Sequence, residues 1–184
     1  MFVGGYFKSI GGQKRFSFAL LDPDGSADPW TPAGVEDDPD VFRTVSWVGL
    51  QPDGRIIIGG DFDTVGGRAR NGAARLNTDG SVDAPGHPDM RGIGIVTAAL
   101  VRPDGKIIVT GGLGPAGEIT RLDSDCSTPD PTFTAPDIEG IPYVIAAQQD
   151  GKTVIAGTFS YVSSQSHYRL ARLNADGSLD EGFN

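Results

Sequence analysis

The amino-acid sequence predicts an all-β protein made of four copies of one repeat of roughly 50 residues, and three observations lead to this prediction. Glycine and proline account for 27 and 13 of the 184 residues, which favours short strands joined by tight turns. A turn followed at once by an apolar, β-branched run recurs along the chain, and so does a strand that ends in an Asp-Gly turn. No stretch shows a sustained helical period of hydrophobic residues.

The first two strands of each repeat flank a turn that contains Asp-Gly. In the third copy, residues 96–101 lead into Pro103-Asp104-Gly105, and residues 107–109 lead out of it. Proline fixes φ at the first central position, and glycine accepts the positive φ that closes the turn. The same turn stands at Asp53-Gly54 and at Asp150-Gly151. Because β-branched runs lie on both sides, the pattern predicts a β-hairpin.

The third strand precedes a second turn, as residues 73–76 precede Asn77-Thr78-Asp79-Gly80. Related turns follow at Asp24, Asp125 and Asp176. A fourth, shorter strand is predicted in segments such as residues 81–83. Four short antiparallel strands per repeat match one blade of a β-propeller. The predicted fold is therefore a β-propeller of about four four-stranded blades, part of a larger propeller or completed by a partner.

The domain prediction is a single repeat domain, residues 1–184, with units at about 1–42, 43–93, 94–140 and 141–184. The chain begins out of phase with this unit, since aligning Gly5 with Gly60 places Met1 on Ile56. The first unit then lacks its first strand. Three alternatives stay open: the array is a piece of a longer one, its two ends meet in a shared blade, or a second copy completes it. The last alternative predicts a homodimer through the open blade edge.

The charge of the chain limits its partners. Its formal net charge is −9, with 24 acidic and 15 basic residues, so nucleic acid is not expected as a partner and anionic membrane surfaces would be poor partners. No apolar run approaches the roughly 20 residues of a membrane-spanning helix, and membrane insertion is not expected. A protein ligand and a glycan ligand both stay open.

The repeat resembles a known family. Residues 51–83 and 148–184 resemble the bacterial delta-60 repeat, a propeller-type repeat, and residues 2–28 match it from mid-repeat. The third unit departs from the pattern, because residues 112–117 replace a longer loop and Cys126 replaces the turn glycine. The resemblance implies tandem repeats in large bacterial proteins that are often secreted or surface-associated. It implies an extracellular or cell-surface location, although the chain shows no signal peptide, and it carries no catalytic residues.

Acidic residues are the first candidates for chemistry. The turns at Asp24, Asp79 and Asp176 each offer three oxygen side chains, but calcium needs six to eight oxygen ligands, and a distal bidentate glutamate is missing. Such turns also need these residues for their own hydrogen bonds, so neither a metal nor a cofactor is predicted. The acidic run Glu36-Asp37-Asp38 is interpreted as solvated surface. Cys126 is flanked by Asp125, whose charge raises the pKa of a thiol, and is not expected to be a nucleophile.

Trp47 is the one weak candidate for ligand binding. It stands where other copies have Ala98 and Val144, in the first strand of its repeat. That strand usually lines the channel of a propeller, so the indole ring is predicted either to contact a ligand there or to pack in the blade core. Core packing is the favoured alternative.

The regular repeats and the lack of converging reactive residues favour one functional hypothesis. We expect a non-catalytic scaffold or binding module of a larger bacterial surface or secreted protein. The alternative is a carbohydrate-active enzyme with a site at one end of the propeller channel. Enzymatic activity is the less favoured of the two.

Overall fold

The structure is a computed structural model that describes residues 1–29, 44–70, 72–83, 95–113 and 116–183. The acidic run Glu36-Asp37-Asp38 lies outside these residues. All regular elements within them are β-strands joined by turns. The described residues thus include no helix that is long and apolar enough to cross a membrane.

The first unit contains two strands and a small outer hairpin. Strand β1 (Phe2–Gly4) pairs antiparallel with β4 (Phe18–Leu20). Between them, β2 (Ser9–Ile10) and β3 (Gln13–Lys14) form the outer hairpin. In the register of the other units, β1 is a second strand and β4 is a third strand.

The second unit is a three-stranded antiparallel sheet with its own outer hairpin. The strands are β5 (Thr44–Leu50), β6 (Ile56–Asp61) and β9 (Ala73–Leu76), in the order β5-β6-β9, and the hairpin is β7 (Thr64–Val65) with β8 (Arg68–Ala69).

The third and fourth units share a sheet. The third unit contains β10 (Ile95–Val101), β11 (Ile107–Leu113), β12 (Ala116–Leu122) and β13 (Ile138–Glu139). The fourth contains β14 (Pro142–Ala147), β15 (Thr153–Gly157), the hairpin β16 (Tyr161–Val162) with β17 (Gln165–Ser166), and β18 (Leu170–Leu173). One sheet runs β10-β11-β12-β13-β16-β17, and a second runs β14-β15-β18.

Within the described residues, the predicted fourth strand of each unit appears as a single bridge. In the second unit Leu76 bridges Val82, within the segment that the sequence indicates. Two backbone bonds make this bridge: the N–H of Asp83 donates to the Arg75 carbonyl at 2.9 Å, and the N–H of Asn77 donates to the Ser81 carbonyl at 2.8 Å. The Asp83 carboxylate also accepts a hydrogen bond from the Arg75 guanidinium. Equivalent bridges join the following pairs: Leu21 and Ala27, Leu122 and Pro129, Leu173 and Leu179.

The turns keep one geometry even where the sequence departs from the pattern. Gly80 has a φ of 84° and donates its N–H to the Asn77 carbonyl at 2.9 Å. Cys126 has a φ of 59° and donates to the Asp123 carbonyl at 2.8 Å. The third unit therefore forms the same turn, with a cysteine in a left-handed conformation that usually favours glycine.

The core lies between successive units. Three apolar clusters fill the spaces between the first and second, second and third, and third and fourth units. The first strands lie side by side, with β5 packed against β10 and β10 against β14. This stacking of twisted antiparallel sheets face to face is the arrangement of propeller blades. Among the described strands, none pairs the first unit with the fourth.

Candidate functional site: an acidic cleft beside the third blade

The shortened loop of the third unit opens a cleft in the fold. Only two residues separate β11 from β12, so this unit has no room for an outer hairpin like β7–β8. Instead, Gly117 of β12 pairs with Ile138 of β13, and Glu139 pairs with Tyr161 of the fourth unit. Between β12 and residues 129–139 lies a cleft of about 710 Å³, within the usual size range of ligand sites.

The charged residues among the described lining of the cleft are all acidic. Glu118 comes from β12, and Asp137 and Glu139 come from the segment around β13; all three side chains are exposed. Tyr161 adds an aromatic ring that is 39% exposed. The lining also includes apolar residues such as Ile119, and no lysine, arginine or histidine is among the lining residues that the structure describes. The described lining therefore gives the cleft a negative potential.

Two glycines allow the backbone segments under the cleft to approach closely. A Cβ at Gly117 would collide with the carbonyl oxygen of Gly140, and a Cβ at Gly140 would collide with the backbone of Phe159. Backbone hydrogen bonds hold β13 in place, since the N–H of Ser160 donates to the Glu139 carbonyl at 2.9 Å. The acidic side chains are thus presented by a fixed backbone rather than by a free loop.

A second set of carboxylates closes the second, third and fourth units. Asp83, Asp130 and Asp180 follow the fourth-strand bridge, and each accepts a bond from the third-strand arginine of its own unit at 2.6–2.7 Å. A hydrogen bond from Lys106 is the main reason that the pKa of Asp130 lies far below its usual value. Hydrogen bonds from Lys152 and then Arg172 lower the pKa of Asp180 to about 2.

In the Asp-Gly turns that follow the third strands, the aspartate carboxylate accepts hydrogen bonds from within the turn. Asp79 accepts hydrogen bonds from the backbone N–H of Ser81 at 2.9 Å and from its hydroxyl at 2.6 Å. These bonds lower the pKa of Asp79, and the same serine contacts are made in the other three turns, at Asp24, Asp125 and Asp176. In the described part of the chain, no group of three or more His, Cys, Asp or Glu side chains is placed to hold a metal ion.

Trp47 lies in the first strand at the register that the sequence indicates. It pairs with Gly59, as Ala98 pairs with Thr110 and Val144 with Ala156. Its half-buried ring packs against the apolar cluster between the second and third units, beside a cavity of only about 10 Å³. This is the position that core packing requires, and contact of the ring with a ligand stays a prediction.

Cys126 is buried in the same cluster, with 2% of its surface exposed. Burial raises the pKa of its thiol to about 12. The predicted direction of this shift is confirmed, although the apolar surroundings are its main cause and the charge of Asp125 is a smaller one. A thiol with this pKa is not a nucleophile at neutral pH.

The sequence did not identify the cleft residues Glu118, Asp137, Glu139 and Tyr161 as a group. They come from three separate segments, which meet only because β13 pairs with both β12 and β16. The sequence contains one indication of the cleft, which is the shortened loop at residues 112–117, where the third unit lacks an outer hairpin.

Comparison with known proteins gives the family. No protein of curated function matches the chain. A family model described as a β-propeller domain of unknown function, DUF5122, matches residues 1–29, 51–84, 102–133 and 148–183, more than half of the chain. Each matched segment falls in a different unit, in agreement with the predicted propeller-type repeat and with the all-β structure. The chain therefore belongs to the DUF5122 β-propeller family.

Proposed function

We propose that the chain is a non-catalytic β-propeller scaffold and binding module whose ligand site is the acidic cleft. One observation carries the proposal: a cleft of about 710 Å³ is lined by Glu118, Asp137, Glu139 and Tyr161, and the described part of its lining contains no basic residue. Concave sites with a few convergent polar groups over an apolar base are the usual places where ligands bind.

The chemistry of the lining favours a basic segment of another protein as the ligand. Three exposed carboxylates attract lysine and arginine side chains, and the net charge of −9 steers such a partner toward the chain. Tyr161 offers a ring face to a bound cation, since cations are attracted by the electron-rich face of an aromatic ring. A neutral glycan would use the ring but would gain little from the three charges.

The absence of catalysis in this proposal rests on the surroundings of the carboxylates. Glycoside hydrolysis needs one carboxyl group that an apolar environment keeps protonated. Glu118, Asp137 and Glu139 are all exposed. The buried thiol of Cys126 belongs to the cluster between the second and third units and is not among the residues that line the cleft.

The biological setting in this proposal is a larger bacterial surface or secreted protein. It is supported by the resemblance of residues 51–83 and 148–184 to delta-60 repeats. In that setting, the repeated blades serve as a rigid scaffold and the irregular third unit provides the binding site.

The proposal is tested by calorimetric titration with an oligolysine peptide and, separately, with oligoglutamate and a panel of neutral oligosaccharides. We expect binding of oligolysine alone, weakened by salt because the cleft charges are exposed. The variant E118Q/E139Q should bind several-fold more weakly, since exposed charge pairs contribute roughly 0.2–1 kcal/mol each.

The matched control is D61N/E181Q, which removes the same charge from two exposed carboxylates outside the cleft. Equal weakening by both variants would show that oligolysine senses only the net charge, and the site assignment would fail. Turnover of any oligosaccharide in a parallel hydrolysis screen would contradict the non-catalytic role and support the enzyme alternative.

A further inference from the structure

Strand β12 has an open outer edge beside the cleft, on the side that faces away from β11. In an antiparallel strand, successive residues direct their backbone N–H and C=O groups to alternate sides. On the outer side, the Arg121 carbonyl accepts a hydrogen bond from the N–H of Asp130 at 2.7 Å, and Gly117 pairs with Ile138. Ile119 lies two residues from both Arg121 and Gly117, so its own N–H and C=O also point to the outer side.

The outer groups of Ile119 are unpaired. β12 pairs with β13 at Gly117 alone, and its next contact with the outer segment is the bridge between Leu122 and Pro129. Between these two contacts, residues 130–137 bulge away from the sheet. Among the described residues, no backbone hydrogen bond reaches the N–H or the C=O of Ile119 from the outer side.

Unpaired backbone groups at this place require a partner. Ile119 is 2% exposed and lines the cleft, so bulk water reaches its backbone poorly. A buried backbone N–H or C=O without a partner costs free energy comparable to a lost hydrogen bond. A donor and an acceptor on one strand edge are both satisfied by the backbone of a second extended chain, as in peptide recognition by strand addition.

The two faces of this edge differ in chemistry. Neighbouring residues of a strand direct their side chains to opposite faces. Ile119 shares a face with Gly117 and therefore with Ile138, and both isoleucines are buried in the apolar cluster between the third and fourth units. Their neighbours Glu118 and Glu139 lie on the other face and are exposed. One face of the edge is thus apolar and the other is acidic.

An extended segment with alternating apolar and basic residues matches this edge. In an antiparallel pair, residues directly opposite each other have their side chains on the same face and interact. A residue that pairs with Ile119 therefore places its side chain on the apolar face. Its two neighbours lie opposite Glu118 and Thr120 on the acidic face, where a positive charge is favoured.

We propose that the basic segment bound in the cleft adds a β-strand to the outer edge of β12, with an apolar residue bonded to Ile119 and basic residues on both sides of it. This proposal rests on the proposed function, since it takes a basic segment as the ligand of the cleft. The open edge from Gly117 to Leu122 is five residue steps long, or about 17 Å at about 3.4 Å per residue. A segment of about five residues therefore fills it.

The first test compares two capped pentapeptides by calorimetric titration of the 184-residue chain. One has the alternating order Lys-Val-Lys-Val-Lys, and the other has the same composition in the order Lys-Lys-Lys-Val-Val. Both carry the same charge, so charge attraction alone would bind them equally. We expect the alternating peptide to bind at least about fivefold more tightly, because its valines and lysines face the matching sides of the edge.

Methylation of the peptide backbone tests which edge of the peptide is bonded. If the valines lie on the face of Ile119, their N–H groups point to β12 and those of the lysines point away. N-methylation of both valines should therefore weaken binding at least about fivefold, since it removes backbone hydrogen bonds. N-methylation of two lysines keeps the same charge and the same number of methyl groups, and it should leave the affinity little changed.

A matched pair of variants tests the acidic face. E118K reverses the charge that faces the peptide, whereas D61K makes the same change at an exposed carboxylate outside the cleft. We expect E118K to weaken binding of the alternating peptide more than D61K does. Circular dichroism checks that both variants are folded.

Failure of strand addition and failure of the proposed function give different results. Equal affinity of the alternating and the block peptide, or equal loss of affinity in the two methylated peptides, would overturn strand addition while binding of basic segments stands. Displacement of the alternating peptide by the same concentration of spermidine would also overturn it, and would assign the cleft to small cations. If none of the lysine peptides binds, the proposed function fails and strand addition fails with it.

Discussion

Arginine residues at equivalent positions make similar contacts in several units. Arg75, Arg121 and Arg172 each bind an aspartate that closes their own blade, and the first two also reach the turn of the next unit. A guanidinium group suits this double role because its donors point in fixed directions within one plane. In the first unit Leu20 stands at this position, so that unit lacks the contact to its neighbour.

The closing aspartates predict a loss of stability in acid. The pKa of Asp180 is lowered to about 2, whereas an aspartate in an unfolded chain titrates near 3.9. Its contribution is fully present above the unfolded value and is lost as the pH falls from about 4 through about 2. We expect urea midpoints to fall over this range in the wild-type chain and to fall less steeply in D180N.

The control for this prediction is D61N, which removes an exposed carboxylate that forms no ion pair within the described residues. Its midpoints should fall with pH as those of the wild-type chain do. If the urea midpoints of D180N and of the wild-type chain fall equally with pH, the ion pair of Asp180 is not responsible for the loss of stability in acid.

Cys126 is predicted to be unreactive in the native protein. With a pKa of about 12, only about one thiol in ten thousand is ionised at pH 8, and the side chain is 2% exposed. A disulfide reagent that releases a coloured thiolate should therefore detect no thiol in the folded chain and one thiol in urea, because the chain has one cysteine. Rapid labelling of the folded chain would place Cys126 outside the core.

At the scale of elements, the outer hairpins share a two-residue turn with both residues at positive φ. Gly66 and Gly67 have φ values of 56° and 70°, and Ser163 and Ser164 have values of 50° and 62°. Two-residue turns of this type match the twist of a β-hairpin and normally contain glycine or asparagine. The fourth unit therefore holds two serines in a conformation that costs an L-residue about 1–2 kcal/mol.

This difference predicts opposite effects of exchanging the turn residues. S164G should stabilise the chain by about 0.5–1 kcal/mol, because the gain in backbone conformation exceeds the entropy that glycine loses on folding. G67S should destabilise it by a similar amount for conformational reasons alone, since a Cβ at Gly67 meets nothing within 4 Å. Urea unfolding measures both changes in the free energy of unfolding. A lower free energy of unfolding in S164G would contradict this expectation.

The sequence predicts some elements well and others poorly, for physical reasons. The hairpins around Asp53-Gly54, Asp104-Gly105 and Asp150-Gly151 were predictable because turn chemistry and β-branched runs are local signals. The outer hairpins were not, because strands of two residues are too short for an alternating pattern. The pairing of β13 with β12 and β16, which shapes the cleft, joins segments far apart in sequence.

At the scale of the whole molecule, regular repeats build the framework and one irregular unit provides the candidate site. The clusters between successive units bury the residues that recur in every copy. The third unit keeps the strand residues of these clusters but lacks the outer hairpin, which contributes Phe62 and Val65 to one cluster and Phe159 and Val162 to another. The sequence pattern predicts the register of Trp47 and of the blade strands, whereas the shortened loop carries no local signal of a function.

The assignment of ligand binding to the cleft is tested most directly by NMR titration of the labelled chain with an oligolysine peptide. We expect the amide signals of Glu118, Glu139, Tyr161 and Ser164 to shift together along one saturation curve, and E118Q/E139Q to raise the peptide concentration at which the curve reaches half-saturation. Signals that shift first around Trp47, or evenly over the acidic surface, would contradict it.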